Sequence, residues 1–93
     1  TEQFEVQINE EIANAKSDLQ LSKEQIETAK EALDFTTIAL QQSIERQKIG
    51  TALPFEVFQA QQFFLQAQLD YLQAVSDYNK AQYALYVAAG NNL

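Results

Sequence analysis

Five alanines recur at strict seven-residue spacing through the second half of this chain: Ala60, Ala67, Ala74, Ala81 and Ala88. Each follows a large side chain by three residues, in turn Val57, Phe64, Tyr71, Tyr78 and Leu85. A seam alternating bulky and tiny residues at this period is the pattern of helices wound around each other. The first half carries its own version, with Ile12, Leu19, Ile26, Leu33 and Leu40 followed three residues later by Ala15, Ser22, Ala29, Thr36 and Ser43. The interior glycine, Gly50, and the sole proline, Pro54, separate the two halves. The spacing therefore predicts an all-α fold. It is an antiparallel two-helix coiled-coil hairpin, with one helix over about 4–48, a turn over 49–53 and a second helix over about 54–89.

Local signals agree with that division. Nothing between Phe4 and Lys48 interrupts the helical pattern, because neither glycine nor proline occurs there. Gly50 suits the left-handed residue just past a helix C-terminus, and Arg46 and Lys48 place cations where the helix dipole favours them. Pro54 suits the first position of the next helix, where its missing N–H costs nothing. Glu56 then falls in the turn that favours an acid. Leu53 becomes an N-cap without a side-chain acceptor, and Thr51 supplies a hydroxyl if the helix starts earlier. Gly90, followed by Asn91 and Asn92, reads as the end of the second helix.

A chain of 93 residues makes one small domain. Helices of roughly 45 and 36 residues, at about 1.5 Å per residue, give a rod some 55–70 Å long with one internal seam. So small a core contributes only a few kcal/mol, and the apolar surface left over is expected to need another chain. The second helix shows where. Phe58, Leu65 and Leu72 form an apolar line one position beside the seam, and between Val57 and Val75 only Asp70 is charged. A two-helix hairpin requires one narrow stripe, so this helix reads as one with neighbours on both sides, or as the broad face of a four-helix bundle.

The chain has no histidine and no cysteine. That removes disulfides, thiolate and zinc chemistry, and the common nucleophile–base pairs. No enzyme activity, cofactor or metal site is expected. The acids nearest the turn, Glu45 and Glu56, lack a matched partner for acid–base work. A net charge of −7 with a pI near 4.3 argues against nucleic acid. Lys16, Lys23 and Lys30 are followed four residues later by Gln20, Glu27 and Asp34, the arrangement of a solvated helix flank. No apolar run approaches the ~20 residues that cross a bilayer, and no ten-residue alternating strands occur. The lack of methionine, even at position 1, leads to the expectation of a processed chain or an excised piece.

Residues 47–61, Gln-Lys-Ile-Gly-Thr-Ala-Leu-Pro-Phe-Glu-Val-Phe-Gln-Ala-Gln, lead into the alanine heptads, Asp77-Tyr78-Asn79 and Ala88-Ala89-Gly90. This stretch resembles the TolC-like outer-membrane efflux channels. In that family a helix descends into the periplasm, turns at a hydrophobic-Gly-small tip and returns with a D-V-L-x-A-Q pattern, heptad alanines, a D-Y-N-like triplet and a closing A-x-G. Residues 46–90 follow the pattern closely, whereas residues 4–45 fit the descending helix by period alone. The resemblance implies a hairpin from the periplasmic α-barrel of a homotrimer in a Gram-negative envelope. Six such hairpins would form an export tunnel, which also accounts for apolar surface on both sides of the second helix.

Further expectations follow from the resemblance, residue by residue. Ile49, Gly50 and Thr51 match the tip that docks to a periplasmic adaptor, although Gly50 also suits the turn of any hairpin. Glu56 matches the first of two acids that ring the tunnel entrance, and equally suits a helix start. Gln59 matches the second without its charge, so a double acidic ring is not implied. Gln47 and Ala52 stand where some relatives carry an aromatic and a basic residue, and any gating network built on those is expected to be absent or different. The partners implied are the adaptor, sister protomers and, indirectly, an inner-membrane pump; the isolated piece is expected to self-associate. The competing reading is a generic coiled-coil interaction module such as an adaptor-type hairpin, whose usual Arg-Leu-Ser tip is missing here. An amphipathic membrane-surface helix fits less well, because glutamine rather than Lys or Arg lines the polar face of the second helix.

Overall fold

The structure is a computed structural model that describes residues 2–90. It consists of two α-helices, α1 (Glu2–Lys48) and α2 (Pro54–Gly90), joined by a turn over residues 49–53. The chain is thus an all-α helical hairpin, and no strand occurs among the described residues. Helix α1 starts two residues earlier than the apolar period predicts. Glu2 and Glu5 in its first turn explain this, since acids there complement the exposed N–H groups. Helix α2 continues through Gly90, one residue further than expected, and Asn91 and Asn92 lie outside the described residues.

Two compact units divide the molecule, each containing a segment of both helices. The unit holding the turn comprises residues 27–73. There the seam positions Ala29, Leu33, Thr36, Leu40 and Ser43 of α1 are half-buried. On α2, Val57 and Ala67 are buried, and Ala60, Phe64 and Tyr71 are half-buried. The hydroxyls of Thr36 and Thr37 donate to the Leu33 carbonyl at 3.0 and 2.7 Å, and that of Ser43 to the Ala39 carbonyl at 2.9 Å. Each hydroxyl is satisfied within its own helix, so a small polar residue can occupy the seam without demanding a partner from α2.

The other unit comprises residues 2–26 and 74–90 of the described chain. Ala15, Ser22 and Ala74 are buried there, and Ile12, Leu19, Ile26, Tyr78, Ala81, Leu85 and Ala88 are half-buried. The acids Glu10, Glu11, Asp18 and Glu24 are all exposed. In both units the buried face follows the heptad.

The core so formed is thin. Among the described residues its buried apolar members are Ala15, Ala52, Val57, Ala67 and Ala74, four of the five being alanine, and no side chain there is fully enclosed. Alanine removes little apolar area from water, so most of the large residues remain in contact with solvent. Lys16, Gln20, Lys23, Glu27, Lys30 and Asp34 are all exposed, the solvated flank that their spacing predicts.

Candidate functional site

The turn is built from the last residues of α1 outward. Gly50 has φ +85°, the left-handed conformation that lets a chain leave a helix. Its N–H donates to the Gln47 carbonyl at 3.1 Å, and the N–H of Thr51 donates to the Arg46 carbonyl at 2.8 Å. These two bonds constitute a Schellman motif, which satisfies carbonyls that the helix end leaves open. The Thr51 hydroxyl also donates to the Arg46 carbonyl, at 3.1 Å. Thr51 therefore caps the end of α1 and not the start of α2, which begins at Pro54. Leu53 is the N-cap of α2: its carbonyl accepts from the N–H of Glu56 at 3.0 Å, and its side chain contributes no acceptor.

Arg46 ties the corner together. Its guanidinium donates to the Thr51 carbonyl at 3.2 Å and stands 3.4 Å from a Glu56 carboxylate oxygen. One side chain thus links the end of α1, the turn and the first turn of α2. In the sequence Arg46 reads only as a favourable charge near a helix end. Its second role follows from the five-residue spacing to Thr51, which becomes readable once Gly50 is placed in the Schellman position.

At the tip, apolar side chains face water. Ile49 is 75% exposed, Leu53 68% and Phe55 64%, while Ala52 is tucked inward and buried. Gly50 and Thr51 are exposed beside them. Gln42, Glu45, Arg46, Lys48 and Ile49 line a depression at the end of α1. The tip-docking residues of the sequence reading, Ile49, Gly50 and Thr51, therefore sit together on one accessible corner.

The two positions read as a tunnel entrance fall on a different surface. Glu56 is half-buried and Gln59 exposed, and both line a groove of about 500 Å³ between the helices. Small residues floor it, Ala32, Thr36 and Ala39 from α1 and Ala60 and Ala67 from α2. Phe35, Phe63, Gln66 and Asp70 complete its lining. Phe35, Phe63 and Asp70 are absent from the candidate residues read from the sequence, because each is remote from the turn and only the fold sets them side by side. A second groove, lined by Leu33, Leu65, Gln68, Leu69, Tyr71 and Leu72, is walled mainly by leucines. The remaining seam alanines, Ala74, Ala81 and Ala88, lie in the other unit, where Ala74 is buried.

Among the described residues no group of three or more His, Cys, Asp or Glu is placed to hold a metal ion. No described helix is long and apolar enough to cross a membrane. Comparison with protein-family models, with curated proteins and with solved structures finds no match to this chain.

Proposed function

We propose that this hairpin is a periplasmic tunnel segment of a TolC-like, trimeric outer-membrane efflux channel, docking to a periplasmic adaptor protein through its tip. The observation that carries the reading is the apolar surface α2 leaves uncovered outside its seam. Phe58, Leu65 and Leu72 recur every seven residues and are 54%, 50% and 63% exposed. A second heptad line on one helix is what a helix flanked by two neighbours requires, as in the wall of a closed cylinder. The exposed apolar tip, joined to the Ile49-Gly50-Thr51 pattern, gives the adaptor its contact.

In this reading the seam alanines let α1 and α2 approach closely and hold a stiff, fixed register. Glu56 and Gln59 face the duct near its entrance. Arg46, 3.4 Å away, partly offsets the Glu56 charge there. Transport itself needs no covalent chemistry from the chain; its role is to form a wall and to meet a partner.

The test is capture of the chain on immobilised adaptor hairpins. Binding is expected, together with its loss in Gly50→Pro, which removes the N–H bonded to Gln47 and imposes a negative φ at a position of positive φ. Failure of the unaltered chain to bind any adaptor tip would favour the generic interaction module.

A further inference from the structure

We propose that copies of this chain pack side by side through two unlike flanks of the seam, the acidic flank of one hairpin seating against the lysine-bearing flank of the next. The heptad sorts the charges. Immediately before the large seam residues of the two helices stand Glu11, Asp18, Glu56, Asp70 and Asp77. Immediately after the small seam residues of α1 stand Lys16, Lys23 and Lys30. Positions on the two sides of a coiled seam lie on opposite flanks, and in an antiparallel pair each flank is shared by like positions of both helices.

The unit that holds the turn shows both flanks. Ala32, Ala39, Phe63 and Asp70, each just before a large seam residue, line the groove of about 500 Å³. Leu65, Gln68 and Leu72, each just after a seam residue, line the second groove, of about 470 Å³. Lys30 follows Ala29 and so belongs to this second flank, with Glu27 and Asp34 one position further from the seam. On the first flank the Gln66 amide donates to Asp70 at 2.9 Å, a neutral donor that orients an exposed carboxylate.

The flanks also match in height. Arg46 meets Glu56 at 3.4 Å, so a residue sixteen places back along α1 is level with one sixteen places forward along α2. Lys30 is therefore level with Leu72, two residues or about 3 Å from Asp70. Leu33 and Tyr71, which line one groove together, agree with that register. Two parallel copies set side by side at equal height bring Lys30 of one to Asp70 of its neighbour. The same step lays Phe35 and Phe63, 74% and 65% exposed, against the leucine-walled groove, and removes apolar surface from water on both sides.

A two-fold dimer fits less well. Through the first flank it would oppose acid to acid, and through the second lysine to lysine; either way one flank of each copy stays bare. The chain exposes 7158 Å², roughly 1,700 Å² more than a compact monomer of 10.5 kDa. A standard interface takes ~800 Å² from each partner, so the surplus suits two contacts per copy. Contacts between unlike faces continue from copy to copy until a ring closes. This inference does not rest on the channel reading. Neither flank includes the Ile49-Gly50-Thr51 tip, so adaptor capture and association of copies succeed or fail independently.

Sedimentation velocity of the 93-residue chain at micromolar concentration and about 50 mM salt tests it. Species larger than a dimer are expected. Lys30→Glu alone sets acid against acid, and Asp70→Lys alone sets lysine against lysine; each is expected to weaken association by at least about fivefold. An equimolar mixture of the two variants restores opposite charges wherever they alternate. It is expected to regain the association of the unaltered chain to within about twofold, which also shows that both variants fold. Glu31→Lys, at an exposed position of α1 outside both flanks, changes net charge as Asp70→Lys does and is expected to alter association by less than about twofold. A monomer, a dimer that does not grow with concentration, indifference to either reversal, or a mixture no stronger than its components overturns the proposal.

Discussion

Gly50 has room for a side chain and a backbone that does not suit one. Nothing lies within 4 Å of where a Cβ would stand, yet φ is +85°. Gly50→Ala is therefore a pure backbone test, expected to destabilise the hairpin by about 1 kcal/mol without any steric clash. Thermal unfolding at fixed concentration checks this, with a fall in Tm of about 4–8 °C for a chain of this size. Arg46 is the other residue on which the corner turns. Its ion pair with Glu56 is half-exposed, so Arg46→Ala is expected to cost no more than about 1 kcal/mol at low salt. That difference is expected to shrink as ionic strength rises to about 1 M, where the Debye length falls to ~3 Å. A loss unchanged by salt would assign the effect to the hydrogen bond with the Thr51 carbonyl alone.

At the scale of the helices, the seam is narrow because alanine alternates with larger residues. Ala67 is a buried seam residue, 6% exposed, in the unit that holds the turn. Ala67→Leu is expected to overpack this unit and destabilise it by about 1–3 kcal/mol, read as a lower midpoint in urea at similar helix content. Gln68→Leu, one residue on and exposed, is expected to change stability by less than about 0.5 kcal/mol. The helices and their corner were legible in the sequence because glycine, proline and the heptad act locally, over one or two turns. The turn spans 49–53 as read from Gly50 and Pro54, and the heptad positions are half-buried or buried in both units. Thr51 was less legible: a hydroxyl between two helix ends has two possible acceptor or donor roles, and the Schellman bonds decide for the Arg46 carbonyl. The Phe35–Phe63–Asp70 groove was not legible, since its members are up to 35 residues apart, Phe35 to Asp70, and meet only when α1 and α2 pair.

Taken as a whole molecule, the chain keeps more surface than its mass requires. Its accessible area is 7158 Å², whereas about 5,400 Å² is expected of a compact monomer of 10.5 kDa. The excess is roughly 1,700 Å², about twice the ~800 Å² that each partner gives to one standard protein–protein interface. Much of it is apolar, with Phe58, Leu65, Leu69, Leu72 and Tyr86 exposed along α2. Exposed apolar side chains in this number are expected to be covered by another chain. The second heptad line is the part of that surface whose period matches a coiled seam, so its removal separates a specific association from general stickiness.

Sedimentation equilibrium of the unaltered chain beside the triple variant Phe58→Ser, Leu65→Ser and Leu72→Ser tests this most directly. The unaltered chain is predicted to self-associate at micromolar concentration, and the variant to remain helical and shift to monomer. A fully helical, stable monomer of the unaltered chain at that concentration, or association undiminished in the variant, would contradict the claim that this helix is built to lie between two neighbours.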